Sequence, residues 1–134
     1  VYVFGDQRGA AVGDYDEDGR VDLVVTQNGA STRLYHNVGA TPGLRVKLKG
    51  PPGNPNGIGA VLRLQFKGRQ GPASEIHAGS GYWSQDSLVP VLGASTPPES
   101  LWIRWPGGRV TTTPIPPNTR QITVDTAGQA TVTR

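Results

Sequence analysis

Hydrophobic and polar positions alternate along much of this chain. In LRVKLKG (44–50), Leu44, Val46 and Leu48 alternate with Arg45, Lys47 and Lys49. That is the period of a strand with one buried face. Val61 to Lys67 repeats the pattern. Further strands are expected at Ser74 to Ala78, Leu88 to Leu92, SLWIRWP (100–106), Val110 to Thr113, RQITV (120–124) and ATVTR (130–134). PPGNPNGIG reads as a long turn, and PGGR and TAGQ as hairpin turns. Before residue 40 the pattern is AAVGDY leading in, VDLVVT leading out and STRLYHN after the turn NGA. VDLVV is rich in β-branched residues between turn formers, which favours a strand over a helix. Pro or Gly interrupts almost every helix-length window. The expected fold is all-β. A partial, propeller-type unit over 1–40 precedes a β-sandwich or small barrel of about seven or eight strands over 41–134. The boundary is set at Ala40-Thr41-Pro42-Gly43, where Pro and Gly stop pairing.

Composition adds limits. The 134 residues suffice for one ordinary domain, or a small domain plus a fragment. The 19 Gly and 12 Pro fall between apolar runs, as punctuation of short strands. Cys is absent, which excludes disulfides, thiolate metal sites and cysteine catalysis. No run approaches the ~20 apolar residues of a membrane-spanning helix, so no membrane insertion is expected. The chain begins at Val1 and reads as a piece of a longer protein.

Charge divides the chain. Residues 1–40 carry six acids and three bases, giving −3; residues 41–134 carry four acids and ten bases, giving +6. The basic charges are spread over many strands, with a modest group at Arg45, Lys47 and Lys49. A solvated strand face is the expected reading, and no nucleic-acid partner.

The acidic part is concentrated in GDYDEDGRVDL (13–23). Asp14, Asp16 and Asp18 alternate, Gly19 permits a sharp turn, and Asp22 follows. Calcium takes six to eight oxygen ligands from such loops. Those aspartates and the backbone carbonyl of Arg20, its side chain pointing away, are the expected ligands. Magnesium demands a smaller octahedral shell, and zinc is disfavoured without His or Cys in the loop. An EF-hand is excluded, because its twelfth position is Val25 and its flanks are strands.

AVGDYDEDGRVDLVVTQNGASTRLYHNVG (residues 11–39 with Ala10 ahead) resembles an FG-GAP repeat, also called a VCBS repeat, the blade unit of integrin-type β-propellers. The resemblance implies calcium at Asp14, Asp16, Asp18, Asp22 and the Arg20 carbonyl. It also implies that this is the last blade, with preceding propeller blades as its partners in the full-length protein. LRVKLKG, NGIGAVLRL, HAGSGYWSQDS and LWIRWPGGRV resemble, in order and spacing, the ASPIC/UnbV domain. Where that family has an FGLG-like stretch, this chain reads PVLG at 90–93. The resemblance implies a secreted, periplasmic or cell-surface β-domain and no catalytic activity.

Signals for chemistry elsewhere are sparse. Glu75, His77, Ser80, Ser84 and Asp86 cluster in sequence, but no G-x-S-x-G elbow is present. A hydrolase would need a pocket joining His77 to Asp86 or Glu75. Gly79 and Gly81 read as a tight turn. In SLWIRWP, period two sets Trp102 and Arg104 on one face and Ile103 and Trp105 on the other, so one Trp is expected in the core. Exposed aromatics stack on sugar rings, which leaves Tyr82, Trp83 and Trp105 as candidate ligand-binding residues. The sequence therefore predicts a calcium-stabilised, non-enzymatic secreted module for adhesion to a protein or glycan ligand. A carbohydrate-binding module and a hydrolase or its accessory domain are the alternatives.

Overall fold

The computed structural model describes residues 5–133. Its elements are strands, and no helix occurs among the described residues. The strands are β1 Asp6–Gly13, β2 Asp22–Asn28, β3 Ala30–Tyr35, β4 Leu44–Lys49, β5 Val61–Phe66, β6 Arg69–Gln70, β7 Ser74–Glu75, β8 Val91–Leu92, β9 Ser100–Arg104, β10 Val110–Pro114, β11 Gln121–Asp125 and β12 Ala130–Thr133.

They form three sheets. An antiparallel meander has the order β1-β2-β3. A second sheet runs β10-β9-β5-β6, with β7 also paired to β5, and a third runs β12-β11-β4-β8. The last two share no strand, so a sandwich-like arrangement forms rather than a closed barrel. The apolar sides of β4, β5, β9 and β11 meet in one core. Leu44, Val46, Leu48, Leu62, Leu64, Leu101, Ile103, Ile122 and Val124 are all buried there, with Ile76 and Trp105. Burying each large side chain is worth about 1.5–3 kcal/mol, so this core carries the fold.

The alternation in LRVKLKG is realised in β4, with one exception: Arg45 is buried while Lys47 and Lys49 are exposed. Ile103 and Trp105 face the core, and Arg104 faces solvent. Two expected strands shrink. Ser74 to Ala78 keeps regular strand only at Ser74–Glu75, and Leu88 to Leu92 only at Val91–Leu92. The connection of β4 to β11 is parallel, with Val46 opposite Ile122. It joins segments far apart in sequence, so no local pattern announces it.

The meander is different. Val25 is its buried apolar side chain, while Val12, Tyr15 and Leu34 stay exposed. Its contacts to the sandwich are specific. Ser87 N donates to the Val12 carbonyl at 2.9 Å, and Val12 N donates to Asp86 Oδ1 at 2.8 Å. Gly43 N donates to the Gly19 carbonyl at 2.8 Å. The Pro-Gly stretch expected as the domain boundary is thus pinned to the acidic loop.

Candidate metal centre

The acidic loop joins β1 to β2, and the register Gly13↔Asp22 brings its two stems together. Asp14 and Asp22 therefore sit side by side at the base, both buried. Asp14 Oδ1 accepts from Asp18 N at 3.0 Å, and its Oδ2 accepts from Gly19 N at 2.8 Å. Asp22 Oδ1 accepts from Asn37 N at 2.7 Å, and its Oδ2 accepts from Tyr15 N at 3.3 Å. These bonds fold the chain back on itself. Gly19, at φ +84°, takes the left-handed turn that Cβ-bearing residues resist. Glu17 also has positive φ, at 64°.

Asp16 and Asp18 complete the loop. Asp18 Oδ1 accepts from Arg20 N at 2.8 Å, and its Oδ2 pairs with the Arg20 guanidinium. Burial alone would raise the Asp18 carboxyl. The Arg20 backbone N–H, the His36 bond and the charges of Arg20 and His36 outweigh it and hold the group below its usual range. Arg20 Nε also donates to the Asn37 carbonyl at 2.8 Å. The Arg20 side chain was expected to point away; it instead turns into the loop, because a carboxylate and a carbonyl both lie within its reach.

Asp14, Asp16 and Asp22 each offer a carboxylate oxygen, all within 4.8 Å of one another. This all-oxygen set fits a hard divalent cation such as calcium. A second group joins Asp16 and Asp18 to His36, whose Nε2 lies 3.1 Å from Asp16 Oδ2 and 3.4 Å from Asp18 Oδ2. Its nitrogen donor suits calcium less well. His36 and Asn37 are the residues that sequence reasoning gave no role. The signal lay in the hairpin. Leu23 pairs with Tyr35, so the residue after Tyr35 falls beside Asp22.

Arg45 closes the loop from outside. Its side chain is only 9% exposed; Nε lies 3.0 Å from Asp14 Oδ2, and Nη1 lies 3.1 Å from Glu17 Oε2. The expected solvated strand face does not include it, because the loop covers it. The hydrogen bond from Arg45, and then its charge, hold the Glu17 carboxyl below its ordinary range.

The aromatic candidates separate. Tyr82 and Trp83 are 74% and 83% exposed, with ring centroids 5.9 Å apart. Trp105 is 4% exposed, and its indole donates to Thr111 Oγ1 at 2.9 Å. Trp105 therefore leaves the candidate ligand-binding set: it fills the core and its one polar atom is satisfied. A cavity of ≈ 220 Å³ between the meander and the sandwich is lined by Glu75, His77, Ser80 and Asp86 among others. It meets the stated requirement of a pocket joining these residues. Several of its polar groups hold the 77–87 loop in place, however. Asp86 Oδ1 accepts from Val12 N, Ser80 Oγ accepts from Asp86 N at 2.6 Å, and Gln85 Nε2 donates to the His77 carbonyl at 3.1 Å. His77 Nδ1 and Glu75 Oε1 are 3.8 Å apart, beyond hydrogen-bond range.

The family model described as ASPIC and UnbV matches residues 50–131. The chain belongs to the ASPIC and UnbV family. No curated protein matches the chain. The match spans most of the sandwich of this ASPIC and UnbV protein. Strand β4 precedes the match, yet it supplies Leu44, Val46 and Leu48 to the same core. The PVLG stretch that departs from the expected aromatic pattern holds β8, which pairs Leu92 with Leu44 and Val91 with Arg45.

Proposed function

We propose that the chain is a calcium-stabilised, non-catalytic binding module of a secreted or cell-surface protein. In this reading the meander is the last FG-GAP-type blade of a propeller, and the ASPIC and UnbV sandwich follows it. The observation that carries the reading is the convergence of carboxylate oxygens from Asp14, Asp16 and Asp22 in a loop braced by its own backbone. The exposed Val12, Tyr15 and Leu34 of the meander support a neighbouring blade, since a three-stranded sheet with one buried apolar residue wants a second layer. Calcium would be held by Asp14, Asp16 and Asp22, with Asp18 and the Arg20 carbonyl at the same turn. It would supply charge neutralisation and cross-linking of the loop. At 10 to 100 times the dissociation constant, that adds roughly 1.4–2.7 kcal/mol of stability.

The test is calorimetric titration of EDTA-stripped protein with calcium, beside an Asp16→Asn variant. One-site uptake that the variant loses is the expected result. No uptake at millimolar calcium would refute the metal reading. A glycan ligand is a second reading, favoured by the exposed Tyr82–Trp83 pair. Glycan-array binding that Trp83→Ala removes would support it, and a blank array would count against it.

A further inference from the structure

Arg45 stands where strand alternation sends Lys47 and Lys49 into solvent, yet nine-tenths of its side chain is buried. Its cover is the acidic loop, through Asp14 and Glu17. Arg45 Nε is buried and makes no aligned hydrogen bond, so its 3.0 Å approach to Asp14 Oδ2 is an attraction of charge. Asp14 thus borders two things at once. One is the guanidinium; the other is the oxygen cluster with Asp16 and Asp22. Nor is the guanidinium free to drift away. The chain just before β4 is bonded to the loop through Gly43 N and the Gly19 carbonyl.

We propose that Arg45 is a built-in cation that competes with the metal for the acidic loop. This rests on the calcium reading above. Without metal, Arg45 neutralises Asp14 and Glu17 and clamps the meander onto the sandwich. With metal, two positive centres share one carboxylate and repel each other, so Arg45 lowers the loop's calcium affinity. An arginine stays protonated at any working pH, so its positive charge is always present at the loop. Linkage is reciprocal: the factor by which Arg45 weakens calcium is the factor by which calcium weakens the clamp. A merely structural role predicts the opposite sign, because a loosened loop would bind calcium less well.

The experiment is calcium calorimetry on the full chain, comparing wild type with Arg45→Met and Arg45→Lys. Arg45→Met is expected to bind about tenfold tighter, within the usual range of such couplings, and to melt at a lower temperature in EDTA. Arg45→Lys keeps the charge and is expected to bind within about threefold of wild type. Should Arg45→Met not fold, the wild-type protein decides. Its Arg45 Nε–H is expected to exchange with solvent about tenfold faster in saturating calcium than in EDTA. Unchanged or weaker binding by a folded Arg45→Met, or unchanged or slower exchange in calcium, overturns the competition while leaving the calcium reading intact. A wild-type protein that takes up no calcium overturns both.

Discussion

Asp22 is 2% exposed, and each of its carboxylate oxygens accepts a backbone N–H, from Asn37 and Tyr15. Asp16, on the same loop, is exposed and faces His36. The two residues look equivalent in the motif Asp-x-Asp-x-Asp-Gly-x-x-Asp but do different work. Removing Asp22 strands two part-buried donors, and a stranded buried donor costs about 1–3 kcal/mol. In EDTA, Asp22→Ala is therefore expected to lose about 2–4 kcal/mol in urea unfolding. Asp16→Asn is expected to lose under about 1 kcal/mol there, because exposed charge pairs are worth little. Only calcium titration should expose the defect of Asp16→Asn. Equal losses for the two variants in EDTA would show that the loop is not divided in this way. Spacing marked both aspartates as ligands. It could not separate the brace from the exposed carboxylate, because burial depends on what packs against the loop.

β4 begins at Leu44, one residue after the Gly43 that bonds the acidic loop. Gly43 closes the stretch expected as the domain boundary, yet its environment is crowded. A Cβ there would lie 2.7 Å from the Leu92 carbonyl and 2.7 Å from Val91 Cγ1, while its N–H holds the Gly19 carbonyl. The glycine is needed for close approach of β8, not for bending. Gly43→Ala is expected to push β8 off β4 and to cost about 1–3 kcal/mol, as overpacking does. Loss of amide protection at the β4–β8 pair by hydrogen exchange would accompany it; full protection would show that the backbone accommodates the methyl. The strands that period two announced, β4, β5 and β9, all formed; in β4 Leu44, Val46 and Leu48 turn inward as expected, with Arg45 the exception. Those that shrank, β7 and β8, lie in Gly- and Pro-bounded runs. Alternation is a local signal and reports a buried face. Strand pairing is non-local, which is why the parallel β4–β11 ladder and the burial of Arg45 had to come from the structure.

For the whole molecule, the two parts differ in self-sufficiency. The sandwich has a closed core built from β4, β5, β9 and β11. The meander buries Val25 and leaves Val12 and Leu34 exposed, and a small sheet without a second layer is marginal in water. It is held by Arg45, by Gly43 and by the Val12 bonds to Ser87 and Asp86. Residues 41–134 are therefore expected to fold alone, giving dispersed amide resonances and a single cooperative melt. Arg45 suffers little in that fragment, since losing the loop opens its guanidinium to water and leaves no buried, unpaired charge. Residues 1–40 alone are expected to show coil-like circular dichroism in EDTA. Calcium can rescue that short piece only if its affinity exceeds the cost of ordering the sheet without a sandwich beneath it. A folded 1–40 in EDTA would mean that the meander stands without the clamp. An unfolded 41–134 would mean that the sandwich depends on the meander as much as the reverse.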